Sequence, residues 1–426
     1  MDANLQTLPE AETITNGLWL ACIDCGETYK PFAKPRYRCS NCHGLLEVRY
    51  TEYNRLSDFA GSKMDRYQDV LPTTELISIQ EGGTPLYAVT DLEPELSCRS
   101  LRVKHEGMNP TGSFKDRGMA VGVKIAEKIG VHHLGCASTG NTSAALACYG
   151  SKNDNAVTVL LPEGNVAEGK IAQAKIHGAN ILAIEDNFDA CLRLVSELAT
   201  EGTLYLLNSM NPYRLEGQKT IGYEILEEFH TETGQFPDKI VLPVGNAGNV
   251  AAIHKAFREL QTTTTFTQSQ IPELIGVQAE GAAPFVDAIQ SGATTVTPWE
   301  SVQTRASAIQ IGDPVNAPKA MYAIKQTNGT AIAVSDEAIL NAQQQLAKAG
   351  IGVEPASAAS LAGLKQLDEQ GMINEDDDVV CLATGHLLKD PEIANQMDFA
   401  WTTVPPDIDS VRKELTTENN DSGTQE

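Results

Sequence analysis

From about residue 97 the chain alternates two hydrophobic patterns. The first is a short, nearly continuous apolar run: "SLRVKHE", "HLGCAS", "NAVTVLLP", "ANILAIE", "TLYLLNS", "KIVLPVG", "LIGVQAE" and "DVVCLATG". Runs of this length without polar alternation predict strands buried on both faces. The second pattern has helical spacing. In "FKDRGMAVGVKIAEKIG" the apolar residues fall at Met119, Ala120, Val123, Ala126 and Ile129, which predicts a helix. "TSAALACYGSK", "AEGKIAQAKIHG", "FDACLRLVSELATE", "EGQKTIGYEILEEF" and "AAIHKAFREL" predict further helices. Strands alternating with helices predict mainly parallel sheets covered on both faces. The series is too long for one sheet, so two α/β domains with a cleft between them are expected. No internal repeat is visible.

Composition narrows the class. The chain has 426 residues, 42% hydrophobic and 21% charged, ordinary for a folded protein of two or three domains. Its net charge is −24, which repels nucleic acid and anionic membrane surfaces. An anionic substrate must therefore be drawn in by a local basic site. No apolar run approaches the ~20 residues of a membrane-spanning helix. "MDANLQTLPEAETITNG" has neither a signal-peptide core nor the Arg-rich character of a transit peptide. Nine cysteines, an odd number without an export signal, point to reduced thiols in a cytoplasmic setting.

Four of them crowd the N-terminus with the spacing C-x2-C-x13-C-x2-C: Cys22, Cys25, Cys39 and Cys42. Each C-x2-C pair can form a knuckle with both sulfurs facing one centre, and two knuckles give a tetrahedral S4 site suited to Zn2+. The spacer is slightly shorter than the usual ~15–20 residues, but a hairpin through "ETYKPFAKPRYR" fills it. Four sulfurs leave no open position, so the zinc is expected to be structural. The expected layout is a zinc-ribbon-like segment over 1–50, a large α/β domain over 51–112 and 216–402, a smaller α/β domain over 113–215, and an acidic flexible tail over 403–426.

Five segments rich in Gly, Ser, Thr and Asn end a predicted strand or open a helix, where α/β sheets bind ligands. In "NPTGSFKDRGM" the turn residues lead to Ser113, placed as an N-cap, and Lys115 falls in the first helical turn. The helix dipole there disfavours a positive charge, which suits a lysine that must react as a neutral amine. "GCASTGNTSAALA" nearly matches a phosphate-binding loop, with Gly135, Gly140 and Thr142, but Asn141 stands where that loop carries lysine. This argues against ATP hydrolysis. The hydroxyls of Ser138, Thr139, Thr142 and Ser143 still offer donors for an anion. "VLPVGNAGNVAAI" sets Gly245 and Gly248 between a strand and a helix, a cup better suited to a phosphate monoester than to a pyrophosphate. "LLNSMNPYRLEGQKT" brings Asn208 and Arg214 around a proline turn, and the guanidinium can fork onto a phosphate or carboxylate. "VVCLATGHLLKD" ends a strand at Thr384 and Gly385. His386, His132 and His133 form no metal-binding spacing.

In order, from about residue 80 to 400, these segments resemble the threonine synthase family. It belongs to the fold-type-II pyridoxal 5′-phosphate (PLP) enzymes, whose fold is tryptophan synthase β-like. Leu387 replaces the second glycine of the family's T-G-H-G, a mild departure. The resemblance implies that Lys115 carries PLP as a Schiff base and serves as the mobile acid and base. It implies that Asn141 bonds the phenolic oxygen of the ring. Gly245, Asn246, Ala247, Gly248 and Asn249 would cup the cofactor phosphate, and Thr384 would face the ring nitrogen. The implied substrate is O-phospho-L-homoserine, its carboxylate in the Ser138–Thr142 loop and its phosphate near Asn208 and Arg214. The products would be L-threonine and phosphate, and the protein a homodimer. Cysteate synthase and threonine or serine dehydratase remain alternatives on the same fold. A non-catalytic metabolite-binding regulator would be expected to lose the lysine or the cup, and neither is lost.

Overall fold

The computed structural model describes residues 10, 13–53, 59–164, 168–263, 271–391 and 402–421. Met1–Asp390 forms one unit and Pro391–Glu426 another. The chain begins with a three-stranded antiparallel sheet: β1 (Leu18–Cys22), β2 (Thr28–Tyr29) and β3 (Leu46–Tyr50), with β1 in the centre. Leu20 faces Tyr29 on one side and Val48 on the other. The two cysteine knuckles flank the hairpin between β1 and β3.

The body then alternates as the apolar pattern predicts. Strand β4 (Leu86–Ala88) and β5 (Ser100–His105) precede α1 (Lys115–Ile129). Next come β6 (His133–Ala137), α2 (Asn141–Lys152), β7 (Ala156–Pro162), α3 (Glu168–Ile176), β8 (Asn180–Ile184), α4 (Phe188–Thr200) and β9 (Tyr205–Leu206). The long helix α5 (Pro212–Thr233) leads to β10 (Lys239–Pro243), α6 (Gly248–Gln261), β11 (Glu273–Ala279), α7 (Pro284–Gln290) and α8 (Ala317–Gln326). Strand β12 (Thr330–Val334), α9 (Asp336–Lys348), α10 (Pro355–Glu369) and β13 (Asp378–Ala383) complete the unit.

Two sheets result. One has four parallel strands in the order β8-β7-β6-β9. The other has six, in the order β12-β11-β10-β13-β5-β4, parallel except for the β4–β5 edge. Both faces of the larger sheet are covered, which explains its continuous apolar strands. Ile240, Leu242, Val380 and Leu382 face the cluster that includes α5, α6 and α8. Val241, Val379 and Cys381 face the cluster built with α9 and α10.

Three local expectations differ from the structure. In "TLYLLNS" only Tyr205 and Leu206 form a strand, because the chain turns away at Asn208. Helix α5 starts at Pro212, ahead of the apolar stripe, because the Asn211 side chain caps it by accepting from the Tyr213 N–H at 3.0 Å. The stretch between 280 and 376, for which no element is predicted above, holds α7 to α10 and β12. Helix α10 was hard to see because "PASAASLAGLKQLDE" is rich in small residues and buried on most sides, so it carries no polar stripe to set against an apolar one.

Helices α1 and α5 touch backbone to backbone. A Cβ on Gly217 would fall 1.9 Å from the Arg117 carbonyl oxygen. One on Gly118 would fall 3.0 Å from that of Arg214. Beneath this crossing lies a buried ion network. Arg117 donates to Glu106 at 2.7 Å and to Glu224 at 2.6–2.9 Å, and Lys104 reaches Glu224 at 2.9 Å.

In the C-terminal unit, the segment expected as a loose tail carries helix α11 (Ile408–Asp421). Residues 422–426 of that expectation lie outside the described residues, as do 1–9, 11 and 12 of the ribbon segment.

Candidate active site

Lys115 opens α1, and its loop is tied down on every side. Asn109 accepts from the Gly82 N–H at 2.9 Å and donates to the Glu106 carboxylate and carbonyl at 2.8 Å. The buried Asp116 accepts from the Thr111 N–H at 2.7 Å and from its hydroxyl. Burial pushes the Asp116 carboxyl up to about 7. Ser113 pairs with Gly385 in an isolated antiparallel bridge, and the Phe114 N–H donates to the Thr384 carbonyl at 3.0 Å. The expected N-cap is therefore corrected. Phe114 holds the cap position without a side-chain bond, because Ser113 is drawn into strand-like pairing. Its hydroxyl is buried without a partner.

Lys115 is half-buried and makes no hydrogen bond or ion pair with any described residue; its Nζ lies 3.9 Å from the Phe114 ring centroid. Burial pushes its ammonium down to about 7, the charge of Arg214 pushes the same way, and Glu354 opposes them. Amine and ammonium are thus both populated near neutral pH, as a group that accepts and returns a proton requires.

Arg214 sits in the first turn of α5 and is 2% exposed. Its Nη1 donates to the Leu207 carbonyl at 2.9 Å, and its Nε has no partner. No carboxylate pairs with it among the described residues. Burial lowers its guanidinium to about 10, an unusual state for arginine. Asn208 is largely committed elsewhere. Its amide accepts from Ala137 N–H at 3.0 Å and donates to Ala137 C=O at 2.9 Å, which leaves one amide hydrogen free for a ligand.

The loop 138–142 follows the carboxyl end of β6. Ser138, Thr139, Asn141 and Thr142 are all half-buried there. Ser138 Oγ accepts from the Gly140 N–H at 3.2 Å, and the cap residue Gly140 leaves the first N–H groups of α2 without a side-chain partner. Gly135 does not belong to this loop. It lies inside β6, where a Cβ would strike Leu204 at 2.7 Å.

The Asn141 amide donates to both oxygens of Glu354, at 3.0 and 3.2 Å. Glu354 is 3% exposed and caps α10, and burial pushes its carboxyl up to about 7. Its backbone N–H donates to the Gly385 carbonyl at 3.1 Å. Next to it, Ser357 Oγ lies 3.1 Å from Thr384 Oγ1 and accepts from the Gly385 N–H at 2.8 Å. Sequence reasoning missed Glu354 and Ser357. The signal was available in "GVEPASAAS", where a Glu-Pro pair marks a helix start.

The segment 245–249 joins β10 to α6. Ala247 adopts φ +59° at the cap position of α6, and no side chain caps the helix, so its first N–H groups have no side-chain partner. Asn249 is buried with both amide atoms unpartnered. A Cβ on Gly248 would meet Leu215 at 3.3 Å and Asn316 at 3.4 Å, so the cup leans on the start of α5. Gln218 bridges the two ends, near Gly118 of α1 and Gly248 of α6. Unpartnered donors beside a helix N-terminus fit a phosphate, and a lysine whose ammonium is depressed fits an aldehyde. The residues present suit PLP.

At the ribbon, the four cysteine sulfurs lie within 4.8 Å of one another. Cys22 and Cys42 are 3.4 Å apart, and Cys25 and Cys39 3.6 Å. Four thiolates at ~2.3 Å around one zinc would stand about 3.8 Å apart, so the group has the right size for such an ion.

Residues 77–385 match the family described as "Pyridoxal-phosphate dependent enzyme". Diaminopropionate ammonia lyase from Escherichia coli superposes with a TM-score of 0.65 at 16% identity, over 80% of this chain and 94% of its own. Threonine deaminase isoform 2 from Solanum lycopersicum does so at 0.62 and 20% identity, over 75% and 88%. The chain belongs to the PLP-dependent enzyme family and has its type II fold. Within that class, threonine synthase of Methanosarcina acetivorans is 52% identical over 403 residues, 93% of this chain and 98% of that protein. Threonine synthase of Methanocaldococcus jannaschii is 49% identical over 385 residues, 88% and 93%. The chain is a member of the threonine synthase family and a PLP-dependent lyase.

Proposed function

We propose that this protein converts O-phospho-L-homoserine and water to L-threonine and inorganic phosphate. One observation carries the choice of a phosphorylated substrate. Arg214 is a buried guanidinium without a carboxylate partner among the described residues, and its charge is felt at Lys115. A buried charge that the protein leaves unpaired is costly, and a dianionic ligand removes that cost.

The residues divide the labour. Loop 245–249 and the N-terminus of α6 hold the cofactor phosphate, and Asn141 and Thr384 orient the ring. Bound PLP supplies the electron-withdrawing ring that stabilises negative charge on substrate carbons. Lys115 Nζ accepts the proton from the substrate and returns one to it. Thr384 offers a neutral hydroxyl, held by Ser357, and so leaves the ring nitrogen uncharged. Ser138, Thr139 and Thr142 bind the substrate carboxylate, while Arg214, with the remaining amide hydrogen of Asn208, binds the substrate phosphate. Zn2+ on Cys22, Cys25, Cys39 and Cys42 closes the ribbon. A cytoplasmic homodimer, as the family resemblance implies, completes the reading. The charge of −24 opposes binding to nucleic acid and to anionic membrane surfaces.

The test follows threonine and phosphate together in one assay. Equal release of both from phosphohomoserine, with kcat/KM well above that for any competitor, is the expected result. Faster turnover of phosphoserine with sulfite, or deamination of threonine without turnover of phosphohomoserine, would replace this reading with one of the alternatives.

A further inference from the structure

The loop between the two cysteine knuckles, residues 26–38, reaches the segment that carries Asn208 and Arg214. Phe32 stacks on Tyr213, with ring centroids 5.8 Å apart and planes 24° from parallel. Its backbone N–H donates to the Tyr213 hydroxyl at 3.4 Å. Phe32 holds φ +60°, a left-handed conformation that bulky residues rarely adopt. Five residues on, the Tyr37 hydroxyl accepts from the Leu206 N–H at 2.8 Å, and its ring lies 5.8 Å from Tyr205. Leu206 belongs to β9, an edge strand, so this bond satisfies a donor that the sheet leaves open.

Between these two grips the chain is one hydrogen-bonded turn. Asn211 donates to the Leu206 carbonyl at 2.9 Å and caps α5. Leu207 supplies the carbonyl that Arg214 holds, and Asn208 stitches the turn to Ala137. At the base of the ribbon loop stand Cys25 and Cys39.

We propose that Phe32 and Tyr37 are positioning residues for phosphate recognition: the ribbon loop clamps turn 205–214 so that Arg214 and Asn208 meet the substrate phosphate. The inference rests on the reading of Arg214 as a phosphate ligand. A second set of anchors keeps the ribbon attached when the clamp is weakened. Tyr50 donates to Glu216 at 2.6 Å, Lys319 to the Leu46 carbonyl at 2.7 Å, and Arg258 pairs with Glu47 at 2.5 Å.

The test uses holoenzyme carrying Tyr37→Phe or Phe32→Leu, with Tyr50→Phe as the control anchor. Cofactor and metal content, thermal midpoint, KM, kcat and the inhibition constant of inorganic phosphate are measured for each. Both clamp variants are expected to keep cofactor and metal and hold kcat within about twofold. KM and the phosphate inhibition constant should rise about 3- to 10-fold, the range that one lost hydrogen bond gives for Tyr37→Phe and one lost ring stack for Phe32→Leu. Tyr50→Phe is expected to lower the midpoint and leave phosphate affinity alone. Unchanged phosphate affinity in both clamp variants, or an equal shift in all three, overturns the proposal. Arg214→Leu separates the two layers. If it leaves KM and phosphate inhibition unchanged, the phosphate reading itself falls; if it raises them while the clamp variants do not, only the clamp falls.

Discussion

Arg117 and Arg214 lie on the two helices that touch, α1 and α5, and are about equally buried, at 0% and 2% exposure. Arg117 has two carboxylates and Thr220 around it. Against the pull of burial, Glu106 and Glu224 hold it charged well above its usual range. Arg214 has one backbone carbonyl, and burial lowers it. Lys115 and Lys219 divide the same way: Lys219 pairs with Glu216 and Glu259 at 2.8 Å, and Lys115 with no described residue. A buried cation with its counter-charges supplied holds the fold. A buried cation without them is a vacancy in the hydrogen-bond inventory that a ligand fills.

The sharpest way to break this contrast is Lys115→Ala. Activity is expected to fall by about 10³-fold or more, since a positioned acid–base group alone gives ~10²–10⁴. The thermal midpoint of the apoenzyme should hold or rise, because a desolvated amine is removed. Next is Arg117→Met, which strands Glu106 and leaves Glu224 with Lys104 as its cation. A stability loss of about 3–5 kcal/mol in urea is expected, and a loss below about 1 kcal/mol would erase the distinction. Arg214→Leu should do the opposite. Stability holds or rises, while kcat/KM for phosphohomoserine falls about 10²-fold, as lost charge-assisted bonds predict.

The smallest effect is one of pH. Glu354 faces Asn141, Lys115, Lys389 and Asp390, and its carboxyl is raised to about 7 chiefly by burial. The folded state therefore holds its proton when the unfolded chain has lost it. Stability falls as pH rises from the ordinary carboxylate range to about 7. Asp116, raised to about 7, adds the same slope. Lys115, lowered to about 7, binds fewer protons folded than unfolded, so stability returns as pH rises above 7. His105 and His254, lowered to about 4 and about 3 by burial, slope the other way below 6.5, so the Glu354 share is read by difference. In urea titrations across pH 4–10, Glu354→Gln should remove a loss of stability that the unsubstituted apoenzyme shows between the ordinary carboxylate range and pH 7.

What the sequence made legible was local. Lys115, Asn141, the loop at 245–249 and Thr384 could be read because each sits where an apolar strand ends or a helix opens, marked by small residues. Residues whose meaning depends on a distant partner could not. Asn208 was read as a substrate ligand, and nothing in its own segment signals that its amide is also bonded to a strand some seventy residues earlier. Ser113 was read as a cap, but a late strand end recruits its backbone. Glu354 was not singled out, since its importance comes from Asn141, far away in the sequence. The helix that carries it has too many alanines to show a stripe.

The bare crossing of Gly118 over Gly217 has a consequence for how this enzyme can vary. Lys115 and Arg214 are separated by the closest approach of two main chains, so hard-sphere contact sets that span. Swapping side chains cannot adjust it gradually. A single methyl at position 217 would lever the helices apart and move amine and guanidinium together, which makes the site's dimensions an all-or-nothing inheritance from two hydrogens.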